Sequence, residues 1–131
     1  MKVTVVVDAN PIISALIGGA STEVFFDRRF NFVTTEFTLN EARKYIPVIS
    51  EKSGVKSEKI LVALSFLPLT TVPEGDYGQN IPEADGMIGA IDKKDTRILA
   101  LALALKAPLW SEDRDFENAK GIILLKTKDL L

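Results

Sequence analysis

Lys2-Val-Thr-Val-Val-Val7, running straight into Asp8-Ala-Asn-Pro11, is the stretch that sets the fold class. Every residue after Lys2 is β-branched, which suits a strand buried on both faces of a parallel sheet better than one with a wet face. The run stops at Asp8, and Pro11 can take the first position of a helix. The spacing predicts that helix over Ile12–Ile17, ended by Gly18-Gly19. A strand turning into a helix within a few residues is the first half of a βαβ unit.

Outward from this joint the alternation continues. Ser21 reads as an N-cap for a helix over Thr22–Arg28, and Phe30–Thr34 as a second strand. Thr35–Ser53 is helical in period, with Leu39, Ala42, Tyr45, Ile46 and Ile49 facing inward and a kink or break expected at Pro47. Ser57 would cap a helix over Glu58–Phe66, followed by a short strand at Leu69–Val72, a loop from Pro73 to Asn80, and a helix from Pro82 to about Ile91. Asp95–Lys106 alternates Leu with Ala, which mimics a strand. Ala is a strong helix former, and no β-branched residue follows Ile98, so this is read as a buried helix. Ala107–Ser111 and Ile122–Leu125 are strands, Asp113–Ala119 a short helix, and Thr127 would cap a terminal turn. Short joints and steady alternation imply one α/β domain over residues 1–131 around a parallel sheet.

The composition then limits the chemistry. The chain has 131 residues, 16 basic and 18 acidic, and neither histidine nor cysteine. Disulfides, thiolate zinc sites and catalytic pairs built on histidine are excluded. Any reaction must run on carboxylates, hydroxyls, amines or a cation held by oxygen. The net charge of −2 offers no general grip on nucleic acid, although it permits a local basic patch. No apolar run approaches the roughly 18 residues of a membrane span, and no leader opens the sequence, so a cytoplasmic protein without membrane contact is expected.

In open parallel sheets, ligands bind outside the carboxyl ends of the strands. Asp8 and Asp113 fall at such ends, while Glu41 and Asp95 sit near helix starts. Four carboxylates meeting on one rim would repel one another unless a cation neutralised them, and an oxygen-only set suits Mg²⁺ or Mn²⁺. Each acid alone also fits a structural role. Asp8 could cap the first helix, Thr38-Leu-Asn-Glu41 matches a capping box, and Asp95 and Asp113 stand at plausible helix N-termini. Taken by themselves, these positions give an α/β domain with a possible acidic metal site.

Three segments together are more specific. VVVDANPIISAL (Val5–Leu16), TLNEARKYI (Thr38–Ile46) and DTRILALALALKAPLWSEDRDF (Asp95–Phe116) resemble the PIN-domain family, in particular the toxin ribonucleases of VapBC systems. The resemblance implies a three-layer α/β/α sandwich with a central parallel sheet. It places the family's acids on Asp8, Glu41, Asp95 and Asp113, with Asp115 as an auxiliary metal acid and Asn10 and Ser111 as supporting polar residues. Asp92, three residues before Asp95, is an alternative third acid, and Glu112 stands where the family often has a smaller or neutral residue.

The expected activity is endoribonuclease cleavage dependent on Mg²⁺ or Mn²⁺, with Lys93, Lys94, Arg97 and Arg114 as candidate contacts to the RNA backbone. The expected partners are RNA, an antitoxin and a second copy of the chain. Phe25, Phe26, Phe30 and Phe37 cluster early and could serve such surfaces, although most are expected in the core. A PIN-like domain that binds RNA or protein without cutting, and an RNA-maturation nuclease with no antitoxin, are the alternatives. Other phosphoryl-handling folds fit less well. Asn10 stands where a haloacid-dehalogenase-type phosphatase needs its second aspartate, and Asp8–Pro11 is no glycine-rich dinucleotide turn.

Overall fold

The computed structural model describes residues 2–89 and 92–131. Five strands, β1 (Val3–Val7), β2 (Phe30–Thr35), β3 (Leu69–Val72), β4 (Leu109–Trp110) and β5 (Leu124–Leu125), form one parallel sheet in the order β3-β2-β1-β4-β5. The chain builds outward from β1 to β3, then crosses to the other side of β1 for β4 and β5. The direction of winding therefore reverses between β1 and β4, and a crevice opens there at the carboxyl ends of the strands.

The β-branched run of β1 is buried on both faces, as its composition predicts: Val5, Val6 and Val7 have no exposed surface. Alternate residues feed two separate cores. Val5, Val7, Phe32 and Trp110 point to one side, where α1 (Ala9–Leu16), α2 (Ser21–Phe25), α3 (Glu36–Arg43), α4 (Ile46–Ser53), α5 (Ser57–Phe66) and α8 (Thr127–Leu130) contribute Ile12, Phe25, Ala42, Ile49, Leu64 and Leu130. Val6, Val33 and Leu109 point to the other, against α6 (Ile81–Ala84) and α7 (Thr96–Leu105). The result is the expected three-layer α/β/α sandwich. In α7, Ile98 to Ala102 are all buried, so the Leu/Ala segment is the helix its alanines predicted.

Several local expectations are corrected. The first helix starts two residues before Pro11, at Ala9, with Asp8 as its N-cap. Ser21 caps nothing; its hydroxyl donates to the Pro11 carbonyl at 2.8 Å and ties α2 to α1. The break in the third helical stretch falls at Lys44-Tyr45, and Pro47 sits in the first turn of α4, where no amide partner is lost. Ser57 begins α5 without capping it. Asp113–Ala119 forms a 3₁₀ turn over Arg114–Asn118, and the helix begun at Ile81 passes at Asp85 into a π-turn reaching Gly89. Its expected end near Ile91 lies outside the described residues. Thr127 accepts a bond from the Trp110 indole at 3.1 Å and does not cap α8.

Candidate metal centre

The carboxyl ends of β1 and β4 are fixed from below. Trp110 packs against Phe25 and Phe32, with ring centroids 4.9 and 5.4 Å away. The buried Thr34 hydroxyl donates to the Val7 carbonyl at 2.8 Å, and the Asp8 amide donates to the Trp110 carbonyl at 3.0 Å. On this base stands a short chain of side-chain bonds. Asp8 accepts from the Ala9 amide at 2.8 Å through one oxygen and from the Ser111 hydroxyl at 2.7 Å through the other. Ser111 in turn accepts from the Asp113 amide at 3.0 Å. Asn10 reaches across to accept from the Glu112 amide at 3.2 Å, joining the same two loops.

Asp8, Asp95 and Asp113 each present a carboxylate oxygen, all within 4.8 Å of one another. Asp92, Asp95 and Asp115 form a second such group, with Asp95 common to both. Asp95 comes from the 3₁₀ turn Lys93–Asp95 that leads into α7. It is 8% exposed, and its Oδ2 is a buried atom without a hydrogen-bond partner among the described residues. The neighbouring Thr96 hydroxyl is also unpaired.

Burial raises the Asp95 carboxyl pKa to about 8 from its ordinary 3.8, with the negative charges of Asp8, Asp113, Asp92 and Asp115 adding to it. Burial also raises Asp8, opposed by its bonds to Ser111 and Ala9. A divalent cation reverses both effects, since it supplies the opposite charge and the missing partner at once. An orphaned buried carboxylate oxygen inside a ring of oxygen donors fits Mg²⁺ or Mn²⁺.

The other expected residues divide. Glu41 lines the same cleft as Asp8, Asn10, Asp92, Lys94, Asp95 and Asp113, but it belongs to neither group of converging oxygens and is paired with Lys44 at 2.8 Å. It closes no capping box: Thr35 caps α3, accepting from the Thr38 amide at 2.9 Å. Among the described residues, Lys94 is the one cation lining the cleft. Arg97 is held beside Glu74 at 3.3 Å and over the Phe37 ring at 4.6 Å. Arg114 stands in solvent near Glu117, and Lys93 is exposed outside the cleft lining.

A family model described as a PIN domain matches residues 6–130. The chain belongs to the PIN-domain family. A comparison with curated proteins finds no match. Among solved structures, the PIN fold recurs in VapBC2 from Rickettsia felis, bound to a DNA fragment from its promoter. That match has a TM-score of 0.68 and 17% identity over 94% of this chain and 98% of that one. A toxin–antitoxin complex from Klebsiella pneumoniae gives 0.65 and 18% identity over 91% and 95% of the two chains. PAE2754 from Pyrobaculum aerophilum gives 0.63 and 16% identity over 99% and 95%. At these identities the likeness is one of fold.

The sequence reading did not assign Ile13, Thr38 and Tyr45 to this PIN-domain cleft, which they line together with Phe37. Periodicity placed Tyr45 in the core with Ala42, Ile46 and Ile49. Those three are buried, but the break before α4 turns Tyr45 outward to 52% exposure. Of Phe25, Phe26, Phe30 and Phe37, only Phe25 is fully buried in the core; Phe30 and Phe37 are half-buried and Phe26 is 59% exposed. The signal that could have found Tyr45 was Pro47 itself, which favours a new helix start and so a change of face.

Proposed function

We propose that this PIN domain is a Mg²⁺- or Mn²⁺-dependent endoribonuclease acting on single-stranded RNA in the cytoplasm, the toxin of a VapBC-type pair. The observation that carries the reading is the buried Asp95 oxygen, unpartnered between Asp8 and Asp113 at the switch point of the sheet. The shared fold with two toxin–antitoxin proteins supports the biological setting.

Asp8, Asp95 and Asp113 would hold the cation, with Asp115 and Asp92 as auxiliary acids beside Asp95. When bound, the cation lowers the pKa of a coordinated water and stabilises negative charge on phosphoryl oxygens. Ser111 fixes the Asp8 carboxylate by donating to it and fixes the loop of Asp113 by accepting from its amide. Asn10 locks that loop to the start of α1. Glu41 faces the cleft from α3 and would orient water or a ribose hydroxyl. Lys94 would pair with a backbone phosphate at the cleft mouth, because the acids alone repel it. An antitoxin and a second copy of the chain complete the proposal, with the exposed Phe26 available for such contacts.

The test is cleavage of a labelled single-stranded RNA. Wild-type protein should cut with Mg²⁺ or Mn²⁺ and stop in excess chelator, and Asp8→Asn should lose about 10²-fold or more of the rate while remaining folded. Equal cleavage with and without chelator would overturn the metal mechanism. A small DNA-binding protein encoded immediately upstream, binding this chain and silencing it, is the outcome expected for a toxin.

A further inference from the structure

We infer that Tyr45 is a stacking platform for an unpaired nucleobase next to the phosphate held at the acidic crevice. The inference rests on the reading of the cleft as an RNA site and adds the group that grips the substrate. The cleft lining mixes two unlike sets of side chains, the acids Asp8, Glu41, Asp92, Asp95 and Asp113 and the apolar or aromatic Ile13, Phe37 and Tyr45.

Tyr45 is placed rigidly although it is exposed. Its amide donates to the Ala42 carbonyl at 3.1 Å and its carbonyl accepts from the Ile49 amide at 2.9 Å, so it forms the joint between α3 and α4. Buried Ala42, Ile46 and Ile49 hold that joint from below. Of the two aromatic rings in the lining, Phe37 is already covered by the Arg97 guanidinium at 4.6 Å. Tyr45 is the ring left open, 52% exposed.

The cleft volume is about 250 Å³. That is below the roughly 300–1,000 Å³ of pockets that engulf small ligands, so it suits one protruding group of a ligand that runs on outside. The surrounding charge narrows the group further. A nucleobase brings a neutral π-face to Tyr45, while its phosphate would face Lys94 and the cation that the aspartates would hold. Stacking of this kind tolerates every base and gives affinity without strict sequence choice.

The experiment uses short single-stranded RNAs carrying 2-aminopurine at successive positions, bound in Ca²⁺, together with steady-state cleavage in Mn²⁺. One 2-aminopurine position should be quenched by the wild-type protein and by Tyr45→Phe. Tyr45→Ala should abolish that quench, weaken RNA binding about 5- to 100-fold and raise KM in proportion, with kcat and Mn²⁺ affinity unchanged. Tyr45→Leu, which keeps apolar bulk without a π-face, should behave like Tyr45→Ala. Full quenching and affinity in either variant would overturn the platform. So would a loss of affinity for an arginine-rich peptide in Tyr45→Ala with RNA binding intact, which would assign the residue to a protein partner. If wild-type protein stacks the RNA but cuts none in Mg²⁺ or Mn²⁺, the nuclease reading fails and the platform stands. If cutting proceeds equally without the tyrosine ring, the nuclease reading stands and the platform fails.

Discussion

Asp8 and Asp95 face each other across one crevice, are equally buried, and are treated oppositely by the protein. Asp8, at the end of a central strand, receives bonds from the Ala9 amide and the Ser111 hydroxyl. Asp95, at the head of α7, has a buried oxygen with no partner, and burial and its neighbours push its pKa to about 8. Buried polar groups are normally satisfied, and an orphan costs about 1–3 kcal/mol. The strand side is therefore satisfied by the protein itself, whereas the helix side leaves a buried oxygen without a partner among the described residues.

Asp95→Asn breaks the comparison most strongly. In Mn²⁺ it should lose about 10²-fold or more of RNA cleavage, together with most of the thermal stabilisation that the cation gives the wild type. That stabilisation should reach about 2.7 kcal/mol when the cation stands at 100 times its dissociation constant. Without a divalent cation the same variant should be more stable than the wild type by about 1–3 kcal/mol above pH 8, since it removes a charge with no partner. Asp8→Asn should gain less, because its carboxylate, although also raised by burial, already accepts from Ala9 and Ser111. Denaturant melts with chelator and with Mn²⁺ separate these outcomes; a destabilised apo Asp95→Asn would show that the carboxylate is satisfied in solution.

The pH dependence is the next largest effect. Asp95 has an ordinary pKa of 3.8 when unfolded and one of about 8 when folded without metal. Between these values the folded state binds more protons than the unfolded chain. This group's contribution therefore falls as pH rises from about 4 to about 8, and changes little beyond. Metal binding must displace the same proton, so cation affinity should rise over that window. Melts in chelator across this range should show the fall in wild type and its absence in Asp95→Asn. Calorimetric titration with Mn²⁺ should show binding that tightens as pH rises towards 8, with proton release that is greatest well below pH 8 and fades above it.

The legibility of the two sides differs for the same reason. The fold was written in β1, whose unbroken β-branched run could only be a central strand, and in the Leu/Ala run that became α7. The site was legible as acids at strand ends. Yet two of the four structural roles weighed against it are real: Asp8 and Asp113 accept backbone amides as caps, and Asp92 does the same. Capping and convergence are compatible, because a cap uses one lone pair of a carboxylate; even Asp8, which accepts through both oxygens, keeps lone pairs to offer. Glu41 and Asp95 cap nothing among the described residues, and the unpartnered Asp95 oxygen has no sequence signature. Tyr45 escaped because a helix break rotates the hydrophobic face, and the chain positions that the periodicity joined belong to two helices.

Ser111 tests the satisfied side with the smallest change. Its hydroxyl donates to Asp8 and accepts from the Asp113 amide, so one oxygen couples the ends of β1 and β4. Ser111→Ala removes that oxygen and little volume from a fully buried position. Asp8 then loses a bond that lowers its pKa, and the Asp113 amide loses its acceptor. Two net hydrogen bonds at this depth amount to about 1–3 kcal/mol of stability. If Ser111 matters only as packing, Mn²⁺ affinity should follow wild type. If it presets the Asp8 carboxylate, affinity should fall roughly tenfold, the range expected when a group orienting a metal ligand is removed. Ser111→Thr keeps the hydroxyl and should recover the affinity if its added methyl is accommodated. The measured ratio between the alanine and threonine variants then separates the bond from the space it fills.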